Sequence, residues 1–367
     1  MRNVRLLSRI DRYIIGKFLG TYFFSIILII SIAVVFDVNE NLDKFLTRNA
    51  TVHEILFDYY LNFIPYYSNL FSQMFVFVSV IFFTTKLAEN SEIIAMMSTG
   101  MTFTRLVRPY IISAAVIALF TLLLGAYVIP SGNVKRVAFE NTYKRKRVAR
   151  YTTNVQLQVA DGVIAHIGRY EHDSKTGHDF TLDRFDGKRL VSHMQATAVQ
   201  YDTLSEEPGH WVIMSYTIRN LEGTRETLTS GRRLDSLLNM EPQDFLITRG
   251  QQETLTTPEL REYIHRQKQR GFANIKEFEV EYWKRGASSF ATFILTIIGV
   301  SISAQKRKNG MGIALGIGLA LILAYILFQT ISATFAINAN MHPGLAAWLP
   351  NILFAIISYF LYRKAAR

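Results

Sequence analysis

The sequence predicts an α-helical, polytopic membrane protein with six transmembrane helices and an all-β domain inserted between the third and fourth helices. Half of the 367 residues are hydrophobic and only 19% are charged, which is typical of membrane proteins. Uncharged segments at both ends of the chain are long enough for the roughly 20 residues that a transmembrane helix needs. Between them, apolar and polar residues alternate at period two, as in half-buried strands. We therefore divide the chain into an N-terminal transmembrane half, a β-containing domain and a C-terminal transmembrane half, at residues 1–130, 131–285 and 286–367.

The first two spans are predicted from uncharged runs. The first span is Phe18 to Phe36, and the acidic segment that follows it, Asp37 to Phe57, is predicted to be a loop. The second run, Tyr59 to Thr85, contains Pro65 and several polar residues. Because polar groups are costly in lipid, this run is either a kinked span or a span preceded by a short amphipathic helix, Ile55 to Tyr67.

The segment between the second and third spans is too apolar for an ordinary loop and too short to cross a bilayer. Residues Ile93 to Met97 are all apolar, and we predict a short helix over about residues 89–100. Asn90 or Ser91 can cap its first turn, and Glu92 lies where the helix dipole favours an anion. Such a helix must bury its side chains against its own protein, the lipid interface or a partner.

Gly100 can end this short helix in a left-handed conformation. The third span follows from Pro109 to Ile129, and Pro130 and Gly132 are predicted to end it.

The central part of the chain begins with a basic stretch, Val134 to Arg150, that we predict to be a helical connector. Its charges either face phosphate groups or form a solvated helix face. Between about residues 151 and 250, five segments have the strand pattern: NVQLQV, GVIAHIGRY, DFTLDRF, LVSHMQATAVQYD and HWVIMSYTIRNL. Turn signals such as Asp161-Gly162, Asp186-Gly187 and Pro208-Gly209 separate them. Many short antiparallel strands predict a sandwich, a jelly roll or an open barrel, and a helix is predicted from Thr257 to Gly271.

The C-terminal half contains three further spans. The fourth is Gly286 to Gln305, and a short basic loop, Lys306 to Lys308, follows it. A break from Asn338 to Pro343 separates a fifth span near Gly310 to Thr334 from a sixth near Gly344 to Tyr362. The fifth span has small residues at helical spacing that allow close helix approach, either within the subunit or laterally with another one. Its glycines are Gly310, Gly312, Gly316 and Gly318.

The distribution of charge predicts that both termini lie on the inner side of the membrane and that the large domain lies on the outer side. Basic residues lie beside the spans, as the positive-inside rule predicts, so the positive net charge does not indicate nucleic-acid binding. Cysteine is absent, which excludes disulfides and thiolate metal sites.

No motif for energy coupling is present in the sequence. A phosphate-binding loop of the type G-x-x-x-x-G-K-[ST] is missing, and the spans hold almost no ionisable residue that could relay protons or sodium. His166, His178, His193 and His210 lie in the β region, but their spacing does not indicate a metal site. We therefore expect no cofactor in this chain, and we interpret the short apolar helix as a docking site for an external motor.

The sequence resembles the lipopolysaccharide export permeases of the LptF/LptG (YjgP/YjgQ) family, and it looks more like LptG than LptF. The resemblance covers nearly the whole chain, and it implies a bacterial inner-membrane protein with both termini in the cytoplasm and the large domain in the periplasm. It lies in IDRYIIGKFL, KLAENSEIIAMMSTGMT, HWVIMSYTIRNLEG, MEPQDF and TTPELREYIHRQKQRG. The most specific part is the Ser91-Glu92 start, the apolar run after it and Gly100.

The resemblance implies a heterodimer of two paralogous permeases, bound to a cytoplasmic, LptB-like ATPase dimer that carries ATP and magnesium. The short helix would be the coupling helix, with Glu92 as the carboxylate that meets the ATPase. Its apolar contacts would be Ile93, Ala95, Met96 and Met97, with Gly100 at its end. Spans one and five would form lateral gates for lipopolysaccharide, and the periplasmic domain would be a β-jellyroll that passes it to an LptC/LptA-like bridge. Basic residues at the outer rim, Lys44, Arg48, Lys135 and Arg136, would contact substrate phosphates, although the first span itself contains no Lys or Arg.

Two classes of function remain after the sequence analysis. The first is the permease subunit of an ABC-type exporter that extracts lipopolysaccharide from the inner membrane. The alternative is a non-transporting scaffold or sensor whose periplasmic β domain binds a partner. A membrane enzyme is less favoured, because no convergent set of acid, base and nucleophile is apparent.

Overall fold

The computed structural model describes residues 8–144, 151–203, 205, 209–223, 225–242, 250–269, 275–305, 310–339 and 341–366. The described residues form two compact units. The helical unit is drawn from Met1–Lys144, Glu253–Pro258 and Lys276–Arg367, and the sheet unit from Arg145–Gln252 and Glu259–Ile275.

Six helices in the described residues are long and apolar enough to cross a membrane, and the predicted fold class is confirmed. They are Arg9–Thr47, Ser72–Glu89, Phe103–Lys144, Lys276–Ser303, Gly312–Asn338 and Pro343–Ala365. The six-stranded sheet lies between the third and the fourth of them in the chain.

Helix α1, Arg9–Thr47, runs without interruption beyond the predicted end of the first span at Phe36. The prediction of a loop from Asp37 is therefore wrong for its first eleven residues, because this polar stretch contains neither Gly nor Pro to break the helix. Asn41 also stabilises it, since its Nδ2 donates to the Asp37 carbonyl oxygen at 2.9 Å. The chain leaves the helix at Asn49, whose φ is +55°.

The second uncharged run is divided into two helical segments. A π-helical turn, Glu54–Tyr60, leads into α2, Leu61–Leu70, and the chain then bends at Phe71 before α3, Ser72–Glu89. This agrees with the interpretation of a short helix before the span, with somewhat wider bounds than predicted. Pro65 lies inside α2.

The third span is longer than predicted. Helix α5, Phe103–Leu123, continues through a π-helical turn, Leu124–Val128, into α6, Ile129–Phe139, and a further π turn, Glu140–Lys144. The prediction that Pro130 and Gly132 end it is wrong. The π turn directly before Pro130 changes the hydrogen-bonding register, so that a residue without an N–H is tolerated there.

Glycine at position 132 is needed for packing. A Cβ there would lie 2.5 Å from Asn62 Oδ1, so Gly132 lets the helix of Asn62 approach closely. Its role is therefore helix packing, whereas the sequence suggested helix termination.

The C-terminal spans are α8, Lys276–Ser303, α9, Gly310–Asn338, and α10, Pro343–Ala365. The predicted break between the fifth and sixth spans is confirmed, and the predicted loop Lys306 to Lys308 lies outside the described residues. Helix α8 begins ten residues earlier than predicted and packs against α3, α5, α9 and α10. Helix α3 in turn packs against α1 and α9, so α3 and α8 form the centre of the helical unit.

The sheet unit is an antiparallel sheet whose strands follow one another in chain order. The strands are β1 Tyr151–Ala160, β2 Val163–Glu171, β3 Thr176–Asp186, β4 Arg189–Tyr201, β5 His210–Glu222 and β6 Arg225–Leu237. Most of the connections are tight turns, which join neighbouring strands as hairpins. The described strands therefore form an up-and-down meander, and they lack the non-consecutive neighbours of a jelly roll.

Strand β6 was not predicted from the sequence. Its residues are almost all exposed, so it lacks the apolar alternation that marked the other strands. It is a strand because its backbone pairs with that of β5 along its whole length, from Glu222–Arg225 to His210–Leu237. The core lies on one face of the other strands and includes the fully buried Trp211, Phe180 and Ile167.

The helix after the sheet, α7, extends over Thr257–Gln269. Its start agrees with the predicted start at Thr257, and the predicted stop at Gly271 lies outside the described residues.

Two hairpin glycines provide a test of the sheet. Gly162 has φ +69° and a Cβ there would lie 2.6 Å from the Phe185 carbonyl oxygen, whereas Gly187 has φ +60° and open space around it. Gly187→Ala should cost only about 1 kcal/mol, the left-handed backbone penalty. Gly162→Ala should cost at least about 2 kcal/mol, because the backbone must also move.

Hydrogen exchange of the β2 and β3 amides in the full chain measures both changes. Equal protection in the two variants would show that the close approach at Gly162 does not hold these strands.

Candidate functional site

The predicted coupling segment lies between α3 and α5 and contains a helix of only seven residues, α4, Glu92–Ser98. It is shorter than the predicted helix over 89–100, because α3 continues to Glu89 and two left-handed residues enclose α4. Ser91 has φ +60°, which is not the extended backbone of a capping serine. Gly100 has φ +88°, and its prediction as the left-handed end of the segment is confirmed.

The apolar residues of α4 face in different directions. Ile93 is 1% exposed and belongs to the core of the helical unit, and Met96 packs against that core. Ile94 and Met97 are 51% and 40% exposed, and Ala95 is also exposed. The prediction that Ile93 contacts a partner is therefore wrong. Ile93 anchors α4 to its own protein, and the outward apolar patch contains Ile94, which sequence reasoning missed.

Glu92 contacts the first helix in this chain. The Tyr13 hydroxyl donates to Glu92 Oε2 at 3.2 Å, and Asn90 Nδ2 donates to Oε1 at 3.3 Å. Glu92 therefore orients α4 relative to α1, and its carboxylate remains at the surface beside the outward apolar patch.

An ion pair joins the beginnings of α1 and α5 next to this segment. Arg105 Nη1 and Nη2 donate to the two carboxylate oxygens of Asp11 at 2.6 and 2.8 Å. Asp11 is 1% exposed and forms a capping box with Ser8 at the start of α1. Thr102 caps α5, since its Oγ1 accepts from the Arg105 N–H at 3.3 Å. Sequence reasoning missed Asp11 as a structural residue, although Ser8 and Asp11 have the spacing of a capping box.

The last helix joins the same group. The hydroxyls of Thr104 and Tyr362 are 2.8 Å apart, and the Phe103 and Tyr362 rings have centroids 5.5 Å apart. We call the assembly of residues 8–13, 90–105 and 362 the base. It joins the starts of α1 and α5 to the end of α10 beside α4, and the Ile94–Met97 patch of α4 is exposed.

The four predicted rim residues differ in exposure and in their partners. Lys44 and Arg48 are exposed on α1, where Lys44 Nζ donates to Asn41 Oδ1 at 2.8 Å and Arg48 Nη1 to the Thr142 carbonyl oxygen at 2.6 Å. Lys135 is exposed and lies 3.5 Å from an Asp58 carboxylate oxygen.

Arg136 is buried and was wrongly predicted at an exposed rim. Its side chain is 3% exposed and donates to Glu140 at 2.7 Å and to Glu253 at 2.6 Å. Its guanidinium carbon also lies 3.9 Å from the centre of the Tyr66 ring. The guanidinium of Arg136 therefore binds two carboxylates and packs on an aromatic ring, and these contacts stabilise the interior of the helical unit.

A second polar cluster lies in the polar part of α1, around Asp37. Lys144 Nζ donates to Asp37 Oδ1 at 2.7 Å, and the hydroxyls of Tyr59 and Tyr60 donate to Oδ2 at 3.0 and 3.1 Å. Burial, together with the Asp37 charge, raises the pKa of both tyrosines above its usual range. Both hydroxyls therefore stay neutral donors and fix the far end of α1.

The small-residue positions of α9 have different surroundings. At Gly318 a Cβ would collide with the Ile81 side chain, so this glycine packs within the subunit against α3. Gly312 and Gly316 have nothing within 4 Å of a built Cβ, and the neighbouring Ile313 and Ile317 are exposed. Gly310 begins the helix. Of the six spans, α1 and α9 are covered least, because only 17% and 22% of the residues in their most apolar stretches are buried.

Comparison with known families gives one finding for this arrangement. The family described as lipopolysaccharide export system permease LptF/LptG matches residues 12–364. No individual curated protein matches the chain.

Removal of the Arg105 guanidinium tests the base. Arg105→Gln leaves the carboxylate of Asp11 without its bidentate partner and should cost about 2 kcal/mol of stability, the usual value of hydrogen bonds to a charged group. The stability of Arg105→Lys should fall between those of wild type and Arg105→Gln, because a lysine cannot form both hydrogen bonds in this geometry. Thermal unfolding of the full chain in detergent measures these differences.

Arg12→Gln is the matched control, because Arg12 is exposed on the same end of α1. If Arg105→Gln unfolds at the same temperature as Arg12→Gln, the ion pair does not hold the base together.

Proposed function

The chain belongs to the LptF/LptG family of lipopolysaccharide export permeases, and we propose that it is the transmembrane subunit of an ATP-driven exporter. In this proposal it extracts lipopolysaccharide from the inner membrane and passes it to a periplasmic bridge. The family consists of permease components of the lipopolysaccharide export system, and the six apolar helices of this chain indicate a multi-pass inner-membrane protein. The direction of transport, the orientation and the individual partners are the new part of the proposal.

The base faces the cytoplasm in this proposal. Basic residues are concentrated at that end of the spans, as the positive-inside rule requires of a cytoplasmic face. They are Arg9, Arg12, Lys86, Arg105, Arg108, Arg363 and Lys364. The sheet unit, which the chain inserts between the third and fourth spans, would then be periplasmic.

The observation that carries the proposal is the exposed apolar patch of α4. Ile94 and Met97 are exposed although α4 itself is anchored by Ile93 and by the ion pair beside it. An apolar helix face that is held rigidly in contact with water is suited to a partner groove. We propose that this groove belongs to a cytoplasmic, LptB-like ATPase dimer, with Glu92 at its edge and with Ala95, Met96 and Gly100 supporting the contact.

The least covered spans suggest where a second permease binds. Helices α1 and α9 flank α3, and both present large apolar side chains outward, such as Phe24 and Ile27 on α1 and Leu319 on α9. The open glycines Gly312 and Gly316 allow another helix to approach α9 closely. We propose that a paralogous permease faces α1 and α9, and that lipopolysaccharide enters between the two subunits at these helices.

The two edge strands of the meander suggest how the substrate leaves. Among the described strands, β1 and β6 each pair on one side only, and an exposed strand edge can accept another strand. We propose that one of them pairs with an LptC/LptA-like bridge. Of the four predicted rim residues, Lys44, Arg48 and Lys135 are exposed and remain candidates for contact with substrate phosphates, and Arg136 is excluded by its burial.

Two neighbouring isoleucines provide a matched test of ATPase docking. Ile94→Ala should weaken binding of the ATPase about tenfold, the effect of an interface residue worth about 1.4 kcal/mol, and should leave thermal stability unchanged. Ile93→Ala removes the same atoms from the core and should cost about 2–5 kcal/mol of stability. Binding to the purified ATPase and thermal unfolding separate the two effects. If Ile94→Ala binds the ATPase as wild type does, α4 is not the docking helix.

Glu92 is tested separately by a change that keeps its shape. Glu92→Gln should change stability by less than about 1 kcal/mol, since a carboxylate near a helix N-terminus contributes only about that much. We expect ATPase stimulation to fall at least about tenfold if the carboxylate meets the ATPase. Tyr13→Phe is the control, because it removes the contact to α1 and keeps the carboxylate. Equal losses in the two variants would assign Glu92 to orientation of α4 alone.

Depletion of the protein tests transport itself. Newly made lipopolysaccharide should accumulate in the inner membrane when the chain is removed. An outer membrane that still receives lipopolysaccharide would instead indicate a scaffold or sensor.

A further inference from the structure

A groove lies on the helical unit between the start of α5 and the end of α10, and its volume is about 500 Å³. Its lining includes Thr104, Val107, Arg108, Ile111, Ile112 and Tyr362. On α5 these residues are three or four positions apart and therefore share one helix face. Both helices pack against α8.

The groove lies at the boundary between charged and uncharged parts of two spans. Arg108 is the last charged residue of α5, and none follows it before Lys135. On α10 the boundary lies at the same level, because Tyr362 precedes Arg363 and its hydroxyl is 2.8 Å from Thr104 Oγ1. The polar end of the groove, with Thr104 and Arg108, therefore lies next to an apolar floor formed by Val107, Ile111 and Ile112.

The charge in the groove is positive and incompletely compensated. Arg105 and Arg108 line it and no acidic residue does. Asp11 pairs with Arg105 at 2.6 Å, whereas Arg108 is exposed and makes no ion pair or hydrogen bond with any described residue. One guanidinium therefore remains available at the membrane boundary.

We propose that this groove binds an anionic phospholipid. Arg108 donates to the phosphate, and the hydroxyls of Thr102 and Thr104 are placed to contact the headgroup. One acyl chain follows Val107, Ile111 and Ile112. Farther along α5, Val116 and Leu119 are exposed and continue the apolar path.

The positive charge and the apolar floor together select this ligand. Basic pockets between transmembrane helices bind anionic lipid headgroups. A free phosphate would bind the guanidinium but would leave the apolar floor without a contact. A protein partner could pair an acidic side chain with Arg108, but to fill the apolar floor it would have to reach below the last charge of both spans. A lipid here would stabilise the pair of α5 and α10 beside the base. The inference goes beyond the proposed function, because it requires neither transport nor ATPase binding.

Lipid binding to the delipidated full-length chain tests the proposal. Phosphatidylglycerol and phosphatidylcholine are titrated separately in detergent, and native mass spectrometry counts the lipids bound to each chain. Wild type should bind the first phosphatidylglycerol about fivefold more tightly than phosphatidylcholine, the preference expected from one basic residue. Arg108→Gln should abolish this preference. Ile112→Trp, which fills the groove without changing its charge, should weaken binding of both lipids.

Lys17→Gln is the matched control, because Lys17 is an exposed cation at the start of another span, outside the groove. It should keep the preference for phosphatidylglycerol. The proposal is overturned if Arg108→Gln retains the preference or if Lys17→Gln loses it equally. It is also overturned if Ile112→Trp binds both lipids as wild type does, or if inorganic phosphate displaces phosphatidylglycerol from wild type.

Discussion

The ion pair between Asp11 and Arg105 is the constraint on which the base of this protein depends. Its two short hydrogen bonds join the start of the first span to the start of the third. Between these points the chain makes its second span and the short helix α4, so the ion pair closes a loop of more than ninety residues. Because Asp11 is buried, water cannot replace Arg105 as the partner of its carboxylate. The ion pair therefore fixes the start of α1 relative to the start of α5.

The same ion pair also helps to hold the short helix α4 in place. A helix of seven residues is too short to be stable by itself, and here the buried Ile93 and the neighbouring ion pair hold it in place. The exposed side of α4 is therefore free of any structural task within the described chain. In the proposed exporter, this small and firmly held apolar surface is the part of α4 that contacts the partner.

Helix α1 connects the two ends of the helical unit. It is held at the base by Asp11 and Tyr13 and at its far end by Asp37, which accepts from Lys144, Tyr59 and Tyr60. Between these two clusters it has few covering neighbours. In the proposed exporter, this helix, fixed at its ends and open along its middle, contributes to the lateral gate at which lipopolysaccharide enters.

Features that depend on local chemistry could be predicted from the sequence. The six spans, the break from Asn338 to Pro343, five of the strands and the left-handed Gly100 follow from apolar runs, alternation and backbone preference, which neighbouring residues decide. The folded structure was needed to show that Ile93 is buried while Ile94 is exposed, and that Arg136 is paired while Arg108 has no partner among the described residues. In each case the two residues are of the same type, and their environments differ largely because covering groups, such as Glu253 at Arg136, come from distant parts of the chain. Strand β6 belongs to the same category, since its exposed residues carry no apolar signal and only pairing with β5 makes them a strand.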